Sequence, residues 1–230
     1  MIDFLIGSAY FSIFLSIAAF KLGQIVKGKL KWAIFNPLLV ATFLVIAFLL
    51  ATGIPYESYA LHADKLRYLL TPATVCLAVP LYEQFELLMQ NKKAIFVGIL
   101  SGVLANLIGV LVLALLFKLD HETYVTLIPK SITTAMGIGV SEEFGGIPTI
   151  TAIAILITGV LGNIIAEFVC KVCKIEEPIA KGLACGTSAH AIGTSKALEM
   201  GKLEGAVSGL AIAVTGVLTV VIASFFVNII

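Results

Sequence analysis

Apolar residues run along this chain in blocks of about 20, the length an α-helix needs to cross the ~30 Å hydrocarbon core of a bilayer. The pattern predicts six spans: Phe4–Leu22, Trp32–Thr52, Leu69–Met89, Ala94–Phe117, Ile147–Cys170 and Gly205–Asn228. The third is interrupted by Pro72 and Pro80 and is the least regular. Two further stretches, Leu127–Gly146 and Lys181–Gly201, are too polar and too glycine-rich for ordinary spans. Non-helical backbone at membrane depth must be buried in protein or line a watery cavity, so these two are expected to be discontinuous, re-entrant segments.

Composition agrees. Sixty per cent of the 230 residues are hydrophobic and 13% are charged, where a soluble domain carries about 25% charged residues. Mean hydropathy is +1.08. The expectation is an all-α polytopic membrane protein, one membrane domain over residues 1–230, with the bilayer as its solvent and no nucleic-acid partner. Asp3 stands where a secretory signal carries positive charge, and the lysine cluster follows the first apolar run. That segment is therefore expected to be retained. Cys76, Cys170, Cys173 and Cys185 include one CxxC, without the second pair or histidines that zinc requires, so no metal or cofactor is expected.

Lysine and arginine positions bear on the two polar stretches. With the N-terminus outside and both stretches re-entrant, 11 of these residues lie inside and 4 outside. If both crossed fully, the bias would shrink to 8 against 7. The positive-inside rule favours the re-entrant arrangement.

The stretches also resemble each other. Thr133-Thr134-Ala135-Met136-Gly137-Ile138-Gly139 aligns with Thr187-Ser188-Ala189-His190-Ala191-Ile192-Gly193, and Ile157-Thr158-Gly159-Val160-Leu161 aligns with Val214-Thr215-Gly216-Val217-Leu218. Units 127–162 and 182–219 would each hold one re-entrant segment and one full span. An odd number of crossings makes consecutive copies face opposite ways, and inverted repeats with broken helices point to a transporter's binding site.

The chemistry-bearing residues concentrate there. Pro129, Lys130, Ser131, Thr133 and Thr134 begin the first broken segment. Proline favours a fresh helix start, and a helix N-terminus attracts a carboxylate. Lys130 adds a full charge, unless it snorkels to the interface. Gly186, Thr187, Ser188, His190, Gly193 and Thr194 form the densest cluster, with hydroxyl donors and a histidine able to bind an anion or shuttle a proton. Asn36 and Pro37, Glu83, and the turn residues Gly145, Gly146 and Pro148 are supporting candidates. Glu142 and Glu143 read as solvated turn residues. Ser188 and His190 lack an orienting acid, which speaks against a hydrolase and against an enzyme generally.

Asn36-Pro37-Leu38-Leu39, Pro80-Leu81-Tyr82-Glu83-Gln84, Pro129-Lys130-Ser131, Gly145-Gly146-Ile147-Pro148 and Gly186 through Thr194, in that order, resemble the LrgB/CidB membrane-protein family. That family includes YohK-like proteins and the C-terminal part of the plastidial glycolate/glycerate translocator. Ala135-Met136 departs from it, since related proteins tend to carry a proline there. The resemblance implies one of two roles in a bacterial inner membrane. One is transport of small carboxylates such as pyruvate, glycolate or glycerate, coupled to ions or protons. The other is antiholin-like regulation of murein hydrolase export and lysis. It also implies an LrgA/CidA-type membrane partner, and a homodimer is the default assembly for a symmetric membrane protein.

Overall fold

The computed structural model describes residues 9–30, 35–69, 72, 75–76 and 78–230. All regular structure among the described residues is helical. The chain forms two compact units, Met1–Cys76 and Leu77–Ile230.

In the first unit α1 (Ala9–Leu30) and α2 (Pro37–Thr52) run antiparallel. Gly23 lies against Pro37, and the rings of Phe11 and Phe48 are 5.9 Å apart. Asn36 and Pro37 sit at a helix boundary instead of inside a span. The Asn36 side chain accepts from the amides of Leu38 (2.9 Å) and Leu39 (3.4 Å), and Pro37 takes the first helical position. Proline has no amide to satisfy there and its φ is already helical. The helix α3 (Tyr56–Ala63) and a 3₁₀ turn follow.

The second unit opens with α4 (Ala78–Glu83) and α5 (Phe85–Gln90). The expected third span, 69–89, is therefore not one continuous helix among its described residues. A break falls at Gln84 (φ −105°, ψ 9°), between α4 and α5. Then come α6 (Lys92–Phe117), α7 (His121–Leu127), α8 (Thr134–Glu143), α9 (Pro148–Val172), α10 (Pro178–Met200) and α11 (Lys202–Phe226). Four described helices are long and apolar enough to cross a membrane: Tyr10–Leu30 within α1, α6, α9, and the stretch Lys202–Ile229 that contains α11. At 1.5 Å per residue, a 25-residue helix such as α9 spans about 38 Å, enough for the hydrocarbon core with some tilt.

The two polar stretches are helical hairpins. Helix α10 breaks at Ala189 (φ −130°, ψ 16°) and His190 (φ 41°, ψ −136°). A Cβ on Gly193 would fall 2.4 Å from the carbonyl of Cys185, whereas eight residues of straight helix separate their ends by about 12 Å. Both arms lie on α11: Gly182 meets Glu204 and Val207, and Leu198 meets Gly205. The chain therefore enters and leaves at the same end, with Ala189 and His190 at the tip. Helices α7 and α8 make the other hairpin. The Thr126 side chain accepts from the Ile147 amide (2.8 Å), and Thr151 donates to the Thr126 carbonyl (2.9 Å) and bonds Ser141 (2.7 Å). Hairpin 1 (α7 and α8) rests on the start of α9, and hairpin 2 (the two arms of α10) lies beside the end of α9 and the start of α11. They enter from opposite ends and bring their tips together near the middle of α6 and α9.

Candidate functional site

Asn106 is the one amide near the middle of α6, and the tip of hairpin 1 is built on it. Its side-chain oxygen accepts from the Lys130 ammonium and from the Ser131 hydroxyl (2.9 Å), and its amide reaches the Ile128 carbonyl at 3.5 Å. Lys130 also bonds Ser131 at 3.2 Å. Ser131 is buried and Lys130 half-buried. Among the described residues Lys130 has no acidic partner.

A cavity of about 630 Å³ opens beside this cluster, within the 300–1,000 Å³ range of small-molecule sites. Lys130, Ser131 and Asn106 line one end; Gly102 and Ala105 of α6, Thr158, Leu161 and Gly162 of α9, and Thr187 and Ser188 of hairpin 2 line its walls. It continues past Cys185 and Cys170 to Ile175, at the base of hairpin 2. There it adjoins a charged recess of about 500 Å³ lined by Lys171, Lys174, Lys181, Glu176 and Glu204. Lys196 is held in that region by Glu167 (2.7 Å) and Glu199 (3.2 Å). The site is thus open toward the lysine-rich end.

Of the residues singled out from sequence, Lys130, Ser131, Thr187 and Ser188 line the cavity. Thr187 and Ser188 donate to the Leu183 (2.8 Å) and Ala184 (2.6 Å) carbonyls, leaving their oxygens free to accept. Pro129 is buried at the hairpin 1 tip; Thr133 occupies the N-cap of α8 without a side-chain cap bond, and Thr134 is exposed. Neither threonine lines the cavity. His190 lies behind the wall: its Nε2 donates to the Ile155 carbonyl (3.0 Å), and its ring fills the space left open at Gly159. A carbonyl only accepts, so the proton is on Nε2. Gly186 packs on Ser208 and Ala211, Gly193 on Cys185, and Thr194 bonds Ser208 at 2.7 Å. These three hold hairpin 2 together. Glu83 is exposed and meets Lys202 at 3.9 Å. Gly145 (φ 77°), Gly146 and Pro148 form the turn into α9. No group of three or more metal-ligating side chains occurs among the described residues.

Sequence reasoning missed Asn106, Gly102, Ala105 and Cys185. An isolated amide in the apolar run Ala94–Phe117 was a usable signal, because a polar residue in a span faces a partner or water.

A model of the LrgB-like family matches residues 16–229. The chain belongs to the LrgB-like family. Among LrgB-like relatives, the antiholin-like protein LrgB of Bacillus subtilis (strain 168) is 38% identical over 224 residues, covering 97% of each chain. No solved structure matches this LrgB-like chain.

Proposed function

We propose that this LrgB-like protein carries small carboxylates, of the size of pyruvate, glycolate or glycerate, across a bacterial inner membrane. The observation that supports this most is Lys130, a cation with no acidic partner among the described residues, at the wall of a cavity beside the middle of α6. An ammonium at the centre of a bilayer costs about 2.5–3.5 kcal/mol on insertion scales, and a bound carboxylate offsets that. Ser131 and Asn106 hold the ammonium in place, while the Thr187 and Ser188 oxygens, their protons committed to backbone carbonyls, can accept from a hydroxyl of the solute across the cavity. The second arms of both hairpins start near the tips, so two positive helix ends add to the field. The two hairpin-plus-helix units read as an inverted duplication, with the N-terminus outside by the lysine bias.

A second reading is favoured by the comparison itself: the Bacillus subtilis relative is named antiholin-like, and that name supports a regulator acting with an LrgA-type membrane partner. The two readings separate in proteoliposomes. Saturable uptake of labelled pyruvate, glycolate or glycerate, with and without a pH gradient, is the expected result for a carrier. Nonselective dye leakage that persists after Ser131, Thr187 and Ser188 are replaced by alanine would overturn it in favour of the regulator.

A further inference from the structure

The open cavity separates hairpin 2 from α9, and the aligned repeat names its counterpart: the seam between hairpin 1 and α11. The alignment pairs Thr158 with Thr215, Leu161 with Leu218 and Thr187 with Thr133. The contacts follow the same pattern in space. Ser141 bonds Thr151 at 2.7 Å where hairpin 1 meets the next long helix, and Thr194, one residue before the position aligned with Ser141, bonds Ser208 at 2.7 Å where hairpin 2 does the same. Gly159 packs against His190, and Gly216 packs against Met136, the residue aligned with His190. Each hairpin tip thus lies on the long helix of the other unit.

The counterpart seam is closed. Tyr124, Ile128 and Ala223 are buried in one cluster, with Leu218, Ile222 and Phe226 packed on it. The Tyr124 hydroxyl donates to the Phe226 carbonyl at 3.0 Å. On α11, three residues before Leu218, Thr215 is 2% exposed, and its hydroxyl has no hydrogen-bond partner. A buried hydroxyl without a partner is unfavourable, and a closed state that contains one is destabilised relative to a state in which water or solute reaches it.

We propose that the hairpin 1–α11 seam is the second access route of the carrier, shut in this structure, and that Thr215 is the polar group exposed when it opens. This rests on the transport reading. Opening both routes at once would make a pore, so the hairpin 2–α9 cavity closes as the seam opens. Lys130 belongs to both routes. It lines the open cavity directly, and its aligned partner Ala184 borders that cavity from hairpin 2. A carboxylate held at Lys130 is therefore presented first to one face and then to the other.

The test places single cysteines at Leu161 (L161C, open cavity) and Thr215 (T215C, closed seam) in proteoliposomes that also report pyruvate, glycolate and glycerate flux. T219C serves as a second seam variant if T215C does not fold. A membrane-impermeant maleimide is added to one face at a time, and labelling is mapped by peptide mass. L161C is expected to react from the face at the base of hairpin 2. T215C is expected to react from the opposite face, roughly 10- to 1,000-fold more slowly, as for a minor state populated at about 0.1–10%. Carboxylate flux narrows that gap. T215V is expected to unfold at a higher temperature and to transport more slowly. Flux without T215C or T219C labelling, or labelling from the same face as L161C, overturns the seam and leaves the carrier standing. Absence of flux with all three carboxylates overturns the carrier, and the seam with it.

Discussion

Replacing Lys130 by methionine keeps a long apolar stem and removes the charge. In this site the change leaves no orphan behind, because the Asn106 oxygen still accepts from Ser131 at 2.9 Å. Folding should therefore not suffer. The half-buried ammonium is gone, and with it an unfavourable burial, so the thermal midpoint in detergent is expected to stay level or rise. Binding is another matter. A hydrogen bond to a charged group contributes about 1.5–3 kcal/mol, which is roughly a 10- to 150-fold loss of carboxylate affinity. In proteoliposomes K130M should raise KM for pyruvate or glycolate by about that factor. A neutral amide analogue should compete equally weakly with both proteins, because it never drew on the charge. An unchanged KM in a folded K130M protein would refute the anion-site argument, and a collapse of the thermal midpoint would show that Lys130 is structural.

Three further outcomes follow from the packing. Gly186→Val places a branched side chain where even a Cβ would lie 2.6 Å from the Ser208 carbonyl; a loss of about 1–3 kcal/mol should lower the detergent melting midpoint, while Gly109→Ala, with nothing within 4 Å, should not. Thr151→Val removes the bonds to Thr126 and Ser141; about 1–3 kcal/mol is expected, seen in thermal unfolding and as faster hydrogen exchange at the Ile147 amide. Asp120 caps α7 through the Thr123 amide at 3.1 Å, and these bonds hold its carboxyl below the ordinary 3.8. Its contribution is present above that ordinary value and disappears as pH falls through the lower folded value. Asp120→Ala should therefore melt earlier at neutral pH and converge with the parent protein in acid.

Spans α6, α9 and α11 were legible because long apolar runs have few alternatives in a membrane. The two hairpins were legible from their opposite signature, clusters of hydroxyls and glycines with a lysine or a histidine among them. The third span, whose Pro72 and Pro80 make it the least regular in sequence, breaks among its described residues at Gln84, a position that no hydropathy window singles out. Within the site, Lys130, Ser131, Thr187 and Ser188 could be named because they sit in polar clusters. Asn106 was invisible to a cluster search since its partners come from hairpin 1, 22 to 25 residues along the chain. His190 lies at the tip as expected, but its orientation is a tertiary fact: Ile155 offers a carbonyl and Gly159 offers room. No spacing rule specifies which side of the wall a ring will occupy.

The hydroxyl pairs that seat the hairpins, Ser141 with Thr151 and Thr194 with Ser208, also impose an order on biogenesis. In each pair the second partner lies on a helix that leaves the ribosome after the hairpin. Neither seat is complete until the next span is in the bilayer: Thr194 can bond the His190 carbonyl within its own hairpin at 3.0 Å, but its bond to Ser208 forms only once α11 is present. Hairpin 2 depends on α11, the last long helix, which makes final closure of the solute site an event at the end of synthesis.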